Sequence, residues 1–389
     1  MARSLILPRP DGTLARYAVS ERSPYPQTAG PITSRVPFAA VHVVANPRAN
    51  NNPSLDVDLD WEATLAYRRY VWGLGLAVAE AMDTSQRGMG FAWAPAKELI
   101  RRSVAEAKKV PGAVVFSGAG TDQLEPGPRV TIADVEAAYE EQIGYIESVG
   151  GRIILMASRA LAACARGPED YEKVYARILT QTREPVIIHW LGDMFDPALR
   201  GYWGSADMDR ATATLLAIVS EHAAKIDGVK ISLLDQAREI AMRRHFPKTV
   251  HMYTGDDFDY PTTIRTDAEG RFSDALLGIF DAIAPAASAA LHALDAGDIA
   301  EFDRMLQPTL PLSRHVFGAP TRFYKTGVVF LAYLNGHQSH FRMVGGLESV
   351  RSAVHLAELF RLADQAGVLR DPDMATERMR RVLAVAGIE

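Results

Sequence analysis

The amino-acid sequence predicts a (β/α)8 TIM barrel with an N-terminal β-hairpin and a C-terminal helical extension. Eight apolar runs of strand length recur along the chain, and segments with helical periodicity separate most of them. Most of these runs are largely apolar rather than alternating, as expected of parallel strands that are covered on both faces. Eight such strands with intervening helices are typical of a closed barrel. A doubly wound open sheet is the main structural alternative.

The first 35 residues predict a small β-hairpin followed by a connector. Two short runs, 4–7 and 14–19, flank Pro10-Asp11-Gly12, a tripeptide whose residues favour a tight turn. A segment containing Pro and Ser, 22–37, then leads into the first barrel strand. We therefore expect residues 1–35 to form a hairpin and connector that are appended to the main fold.

Residues 36–285 carry the pattern of the barrel itself. Each strand candidate is short, and a segment that is not continuously apolar separates it from the next. The eight candidates, in chain order, are Phe38–Val44, Leu74–Ala81, Ala113–Ser117, Arg152–Ala157, Val186–Trp190, Gly228–Ile231, Val250–Tyr253 and Leu276–Ile283.

Amphipathic segments lie between the strand candidates and continue after Pro285, so we expect a helical region over 286–389. Two helix starts are marked. Thr131 and Asp134 have the spacing of a capping box, and Pro168 suits a first helical turn. The helix candidates are Trp61–Trp72, Ala94–Lys109, Ile132–Val149, Glu169–Thr182, Asp207–Lys225, Ala287–Ala296, Ile299–Leu306 and Leu347–Ala366.

The composition is that of an ordinary folded protein, with 48% hydrophobic and 23% charged residues. A formal net charge of −5 gives no electrostatic reason to expect binding to nucleic acid or to an anionic membrane. The single cysteine, Cys164, excludes an internal disulfide and suits a reducing compartment. The first ten residues lack the apolar core of a secretory signal, and no run approaches the ~18–20 apolar residues of a membrane span. We expect a cytoplasmic protein.

Lys230 is the most informative residue, because it lies in a short and mostly apolar run, 226–232, between two amphipathic segments. The pattern places it on the sixth barrel strand. Burial disfavours an ammonium ion, which lowers the pKa of the amine and favours its neutral form. A neutral amine at the mouth of a barrel is a nucleophile for carbonyl carbon. A lysine that forms a salt bridge at a strand end is the structural alternative.

Several motifs, taken in order, resemble the dihydrodipicolinate synthase and N-acetylneuraminate lyase family. Gly228-Val229-Lys230-Ile231-Ser232 is similar to the segment around the Schiff-base lysine of that family. The resemblance spans roughly residues 36–389, in the order expected of a full barrel. The other similar segments are Thr84-Ser85 after strand two, Ser117 to Thr121 after strand three, Gly255-Asp256-Asp257 after strand seven, Ala282 to Pro285 after strand eight, and Arg380 to Ile388 at the closing helix.

The resemblance implies a class I lyase or aldolase that uses no cofactor and forms a homo-oligomer. Lys230 would form an imine with a 2-oxo acid or a related small carbonyl substrate. The family carries a proton-relay tyrosine at the end of strand four, where this sequence has Ser158-Arg159. His189, one strand from Lys230, is the candidate replacement, because an imidazole near neutral pKa can move protons.

Thr84 and Ser85 are candidates for substrate binding or proton relay, with capping of the following turn as the alternative. Arg159 could pair bidentately with a substrate carboxylate, or with Asp193 or Glu169 as part of the structure. The substrate-binding candidates are Ser158, Arg159, Ser117, Gly118 and Asp256.

Two other functions stay open. His189 and His251, with Asp256 or Asp257, supply ligand types for a metal-dependent hydrolase or isomerase. The sequence has no close-spaced metal signature, so the leading hypothesis includes no metal. A barrel that has lost catalysis and serves as a binding subunit is the third possibility.

Overall fold

The computed structural model describes residues 4–20, 25–26 and 30–388. Eight parallel strands form a closed barrel in sequence order, and β10 pairs with β3 through Leu276 and Phe38. This closure confirms the predicted barrel and excludes the open sheet. The barrel strands are β3 Pro37–Ala40, β4 Ala77–Glu80, β5 Val115–Ala119, β6 Arg152–Leu155, β7 Val186–Leu191, β8 Ile226–Ser232, β9 His251–Thr254 and β10 Asp274–Leu277.

The predicted N-terminal hairpin is also confirmed. Its strands, β1 Ser4–Pro8 and β2 Leu14–Ala18, pair antiparallel. The hairpin packs on the C-terminal helices, where the Tyr17 hydroxyl donates a hydrogen bond of 2.6 Å to Asp364. The two ends of the chain are therefore joined by packing and by hydrogen bonds.

Fifteen α-helices lie in the described part of the chain, and the last six form the C-terminal region. None of the helices there is both long enough and apolar enough to cross a lipid bilayer. The helices are α1 Trp61–Gly73, α2 Trp93–Ala107, α3 Ile132–Ser148, α4 Arg159–Cys164, α5 Pro168–Gln181, α6 Met208–Glu221, α7 Gln236–Arg243, α8 Tyr260–Ile264, α9 Ile279–Ala282, α10 Ala284–Asp295, α11 Ile299–Leu306, α12 Leu310–Val316, α13 Tyr324–Leu334, α14 Ala353–Ala366 and α15 Pro372–Val385.

Several predicted boundaries were wrong. The last strand ends at Leu277, because the Asp257 carboxylate accepts a hydrogen bond of 2.9 Å from the Ile279 amide and α9 begins there. The first barrel strand ends at Ala40 rather than Val44. The helix predicted from Leu347 begins at Ala353, after a short 3-10 segment that contains two glycines with positive φ.

Helices α12 and α13 lie within the predicted helical region, but they were not identified individually. All eleven residues of α13 are buried, so the helix has no solvent-exposed face. A helix that is buried around its whole circumference lacks the amphipathic periodicity by which helices are recognised in a sequence.

The barrel interior is a separate small core. It takes alternate residues from seven of the eight strands, whereas the residues between them pack outward against the helices. The interior residues are Phe38, Ala40, Ala77, Ala79, Met82, Phe116, Ile154, Met156, Ile187, Tyr253 and Leu276. Strand β8 supplies no large apolar side chain to this core, and its inward positions are the ones that concern function.

Candidate active site

Lys230 points into the barrel. Val229 and Ile231 belong to the outer core, so the alternation of side chains turns Lys230 inward. Two residues earlier, a Cβ atom on Gly228 would lie 2.4 Å from the ring of Tyr253, which fills the interior there. The lysine side chain is only 7% exposed. It therefore extends through the barrel core towards the carboxyl ends of the strands.

Gly255 provides the space for this lysine. It follows β9, and a Cβ atom there would lie 2.9 Å from Lys230 Cε and 2.2 Å from Ser232 Oγ. Any larger residue would collide with both side chains. Position 255 of the sequence motif is thus a glycine for a steric reason, because the Lys230 side chain passes close to its backbone.

Two carboxylates influence the charge of Lys230. Burial lowers the pKa of its amine, and the charges of Asp257 and Asp83 partly oppose this effect. Burial also raises the pKa of Asp257, which the nearby Lys230 partly opposes. Among the described residues, no carboxylate oxygen lies within 4.0 Å of Lys230 Nζ. Within the described residues, Lys230 therefore forms no salt bridge at the strand end, which was the structural alternative.

His189 is the partner of Lys230 across the β7–β8 ladder and is almost fully buried. Burial, and then the charge of Lys230, hold the pKa of the imidazole well below its usual range, so the ring is neutral. Its Nε2 lies 3.1 Å from Ser232 Oγ. Its Nδ1 has no hydrogen-bond partner in the described structure and lies 4.0 Å from Asp83 Oδ2.

Thr84 contacts a residue that the sequence analysis missed. Its Oγ1 lies 2.8 Å from the hydroxyl of Tyr324, at the start of α13, and both groups are buried. Burial and the charge of Asp83 raise the pKa of Tyr324, so its hydroxyl keeps its proton. Asp257 contributes in the same direction, which puts the phenol within electrostatic reach of both carboxylates that act on Lys230.

An open cleft lies at the carboxyl ends of the strands. Its wall includes Asp83 and His189, which are neighbours of Lys230, but neither Asp257 nor Lys230 itself. Arg159 lines the cleft and forms an ion pair with Asp196, which is neither of the two carboxylates, Asp193 and Glu169, that the structural alternative named. The apolar part of the wall is formed by Leu124, Pro126, Met156, Ala157, Leu191 and Leu199.

Several predicted site residues do not face the cleft. Ser85 donates a hydrogen bond of 2.7 Å to the Val41 carbonyl and is buried. Ser117 lies between the inward positions Phe116 and Gly118, so its buried hydroxyl is turned away from the interior. Neither placement supports the predicted contact with substrate.

Ser158 and Asp256 have local structural roles. The Ser158 hydroxyl caps α4 by accepting from the Leu161 amide, and it lies 2.6 Å from Thr121 Oγ1. Asp256 is buried and accepts a hydrogen bond of 2.9 Å from the Phe258 amide. Of these three polar side chains, only Thr121 reaches the cleft wall.

Close packing leaves no space for a side chain at Gly118. A Cβ atom there would lie 2.6 Å from Met156 Sδ and 2.7 Å from the Ala81 carbonyl. The Gly118 carbonyl also accepts a hydrogen bond of 3.2 Å from Arg87. The turn after β5 is thus held by Arg87 and contributes Gly120 and Thr121 to the cleft.

The residues of the metal hypothesis are not brought together. His251 begins β9, at the end of the barrel opposite the cleft, where it lies 2.5 Å from Asp274. His189 lies near the cleft instead. Within residues 4–20, 25–26 and 30–388, no three His, Cys, Asp or Glu side chains are grouped so as to hold a metal ion.

Solved structures with this fold include members of the family that the sequence motifs resemble. Dihydrodipicolinate synthase from Aquifex aeolicus matches with a TM-score of 0.60 and 12% identity, over 91% of this chain and 98% of that one. YagE is a prophage protein of the dihydrodipicolinic acid synthase family from E. coli K12, and its structure is in complex with pyruvate. It matches with a TM-score of 0.66 and 13% identity, over 86% of this chain and 99% of that one. The 4-hydroxy-tetrahydrodipicolinate synthase from Methylacidiphilum fumariolicum SolV matches with a TM-score of 0.61 and 13% identity, over 91% of this chain and 98% of that one.

These identities are low, so the matches establish a shared fold and confirm the predicted resemblance at that level. A search of curated proteins by sequence found no match. A family model described as "Protein of unknown function (DUF993)" matches residues 5–388, nearly the whole chain. The protein therefore belongs to the DUF993 family, built on the barrel fold of the dihydrodipicolinate synthases.

Proposed function

We propose that this protein is a Schiff-base-forming lyase or aldolase that acts on a 2-oxo acid or a related carbonyl substrate through Lys230. The observation that carries the proposal is a lysine inside a closed barrel whose pKa is lowered by burial and which has no ion pair in the described residues. Such an amine is available in its neutral, nucleophilic form. YagE, which shares this fold, is described in complex with pyruvate.

The chemistry follows from the position of the amine. The neutral Lys230 nitrogen adds to the carbonyl carbon, and the carbonyl oxygen leaves as water to give a protonated imine. The imine accepts the electron pair of the carbon–carbon bond that breaks, which gives an enamine, while the other fragment gives up the proton of its hydroxyl group and leaves as an aldehyde or ketone. Protonation of the enamine and hydrolysis of the imine return the free lysine, and the same steps in reverse form the bond.

Proton transfer at the imine needs a donor and acceptor near Lys230. We assign this role to the Tyr324–Thr84 hydroxyl pair, because the two oxygens are 2.8 Å apart and two carboxylates near Lys230 also act on Tyr324. A phenol that keeps its proton can donate to a developing oxyanion and recover the proton through Thr84. His189 remains the other candidate, since its unpartnered Nδ1 lies 4.0 Å from Asp83.

Reductive trapping tests the proposal. The protein is treated with borohydride and a candidate 2-oxo acid such as pyruvate, digested, and analysed by peptide mass spectrometry. We expect a reduced adduct on the peptide that carries Lys230, and no adduct in Lys230→Met. The mapping also separates Lys230 from Lys325, the other buried lysine near the cleft. If no 2-oxo acid gives an adduct on Lys230, the proposed function is wrong.

A further inference from the structure

Asp83 is a carboxylate of the cleft wall that no hydrogen-bond donor occupies. Its side chain is 19% exposed, and neither of its carboxylate oxygens accepts a hydrogen bond from the described residues. One oxygen lies 4.0 Å from His189 Nδ1, which is too far for a hydrogen bond. Both oxygens of Asp83 are therefore available to a group that enters the cleft.

The other carboxylates of the described cleft wall differ from this one. Asp122 forms an ion pair with Arg87, and Asp196 forms one with Arg159. A guanidinium occupies the oxygens of the carboxylate that it pairs with. Glu125 is exposed to solvent. One carboxylate of this wall is thus both largely shielded from solvent and free of an ion pair with lysine or arginine.

The backbone that carries Asp83 is held in place on both sides. Ala81 and Gln86, neither of which is a glycine, have left-handed φ values of 53° and 67° and bracket the turn. Gln86 also donates a hydrogen bond of 2.7 Å to the Val344 carbonyl. Backbone strain of this kind persists where the surrounding structure imposes it, and it is frequent at functional sites. The turn therefore presents the Asp83 carboxylate in a defined position.

Asp83 lies close to the groups that we place at the imine. Its charge, after that of Asp257, opposes the lowering of the Lys230 pKa by burial. Burial and then the charge of Asp83 raise the pKa of Tyr324. Asp83 lines the cleft, whereas Lys230 does not. A substrate that is joined to Lys230 and extends into the cleft therefore passes the Asp83 carboxylate.

One proton of the proposed reaction still needs an acceptor. When the carbon–carbon bond breaks, its electron pair moves into the imine, and the electron pair of the O–H bond forms the new carbonyl of the leaving fragment. A base must take the hydroxyl proton. Burial and the charge of Lys230 lower the pKa of His189, so a protonated imidazole is unfavourable there. A carboxylate becomes neutral when it takes up a proton, which suits a partly buried position.

We propose that Asp83 is the general base that takes the hydroxyl proton of the leaving fragment, and the general acid that returns it when the bond forms. The proposal rests on the proposed function, because this fragment is joined to an imine of Lys230. The Tyr324–Thr84 pair then moves protons at the imine, and Asp83 moves the proton of the leaving oxygen. In the competing explanation, Asp83 only adjusts the charge of Lys230 and contacts no substrate.

Two assays on Asp83→Asn separate these explanations. The exchange of pyruvate methyl protons with solvent deuterium reports imine and enamine formation, and it involves no hydroxyl group. The aldol addition of pyruvate to glyoxylate, acetaldehyde or benzaldehyde, followed by NMR, reports formation of the carbon–carbon bond. We expect Asp83→Asn to keep the exchange rate and the borohydride adduct on Lys230 within about three-fold, and to slow the addition by about 10²–10⁴-fold.

Chemical rescue of Asp83→Ala distinguishes a base from a charge. Formate has the carboxylate group that this substitution removes, whereas chloride is an anion that is not a base at neutral pH. We expect formate to restore aldol addition by about ten-fold or more in Asp83→Ala and chloride to restore none. Equal rescue by both anions would support the purely electrostatic role.

Asp193→Asn is the matched control. Asp193 follows β7 at the same end of the barrel, but its side chain is half exposed and does not line the cleft. This variant should exchange protons and form bonds as the wild type does. The inference is overturned by unchanged addition in Asp83→Asn, by equal losses of exchange and addition, or by a wild type that exchanges pyruvate protons but adds to none of the three aldehydes.

The proposed function and this inference fail separately. If the wild type gives no borohydride adduct on Lys230, the Schiff base itself is rejected. An adduct on Lys230, together with aldol addition that does not depend on Asp83, would keep the Schiff base and reject Asp83 as the base.

Discussion

Tyr324→Phe should slow proton transfer at the imine without preventing imine formation. The substitution removes one oxygen, and with it the 2.8 Å hydrogen bond to Thr84 Oγ1. General acid–base catalysis contributes about 10²–10⁴-fold to a rate, which corresponds to ~3–5 kcal/mol of activation free energy. The same change leaves a buried hydroxyl without its partner and should lower the free energy of unfolding by about 1–3 kcal/mol.

The exchange of pyruvate methyl protons with solvent deuterium, followed by NMR, reports this step. The expected result is exchange in the wild type, a loss of about 10²–10⁴-fold in Tyr324→Phe, and a retained borohydride adduct on Lys230. Tyr260→Phe is the matched control, because Tyr260 forms a buried hydroxyl pair with Thr309. The assignment of Tyr324 fails if its variant exchanges like the wild type, or if Tyr260→Phe loses as much. Loss of exchange in His189→Asn alone would identify the imidazole as the relay.

Two further predictions concern space and charge. Gly255→Ala should destabilise the protein by about 1–3 kcal/mol and abolish the Lys230 adduct, because the new Cβ would lie 2.9 Å from Lys230 Cε. Gly144→Ala, where nothing lies within 4 Å, should keep the adduct, and trapping in Gly255→Ala at the wild-type level would contradict the steric argument. The pH dependence of stability is the second prediction. As the pH rises above about 8, the free energy of unfolding of the wild type should increase relative to that of Lys325→Met, by up to about 1.4 kcal/mol per pH unit. The reason is that Lys325 loses its proton near pH 8 in the folded protein, whereas in the unfolded chain it keeps the proton up to the ordinary lysine pKa of 10.5. Urea denaturation between pH 7 and 9.5 measures this, and a pH-independent difference between the two proteins would refute it.

The barrel and its lysine could be predicted from the sequence because their signals are local. Parallel strands covered on both faces leave short apolar runs, and a lysine within such a run stands out. The structure then places Lys230 on β8, inside the closed barrel. The lengths of the runs were less informative. The run from Leu276 to Ile283 contains both a strand and a helix, because the Asp257 carboxylate that accepts from the Ile279 amide is distant in sequence.

The surroundings of the lysine could not be predicted in the same way. Thr84 and Tyr324 are 240 residues apart, and no spacing rule links them. Tyr324 and Lys325 begin a helix that is buried on all sides, so neither residue stands out by periodicity. Ser85 and Ser117 show the converse case. Their residue types suggest chemistry, but a nearby carbonyl acceptor and the alternation of the strand direct their side chains elsewhere.

The position of Tyr324 is fixed by packing, which suits the proton-relay role that we propose for this residue of the C-terminal region. Its ring stacks on Phe317 with centroids 4.4 Å apart and meets the edge of Phe195 at 6.0 Å. Gly278, which follows β10, admits both rings, since a Cβ there would lie 2.9 Å from Phe317 and 3.2 Å from Tyr324. Aromatic packing of this kind leaves the phenol little rotational freedom, so its hydroxyl is held against Thr84 before any substrate arrives. Under the proposed function, the phenol of Tyr324 would serve in place of a tyrosine at the end of strand four.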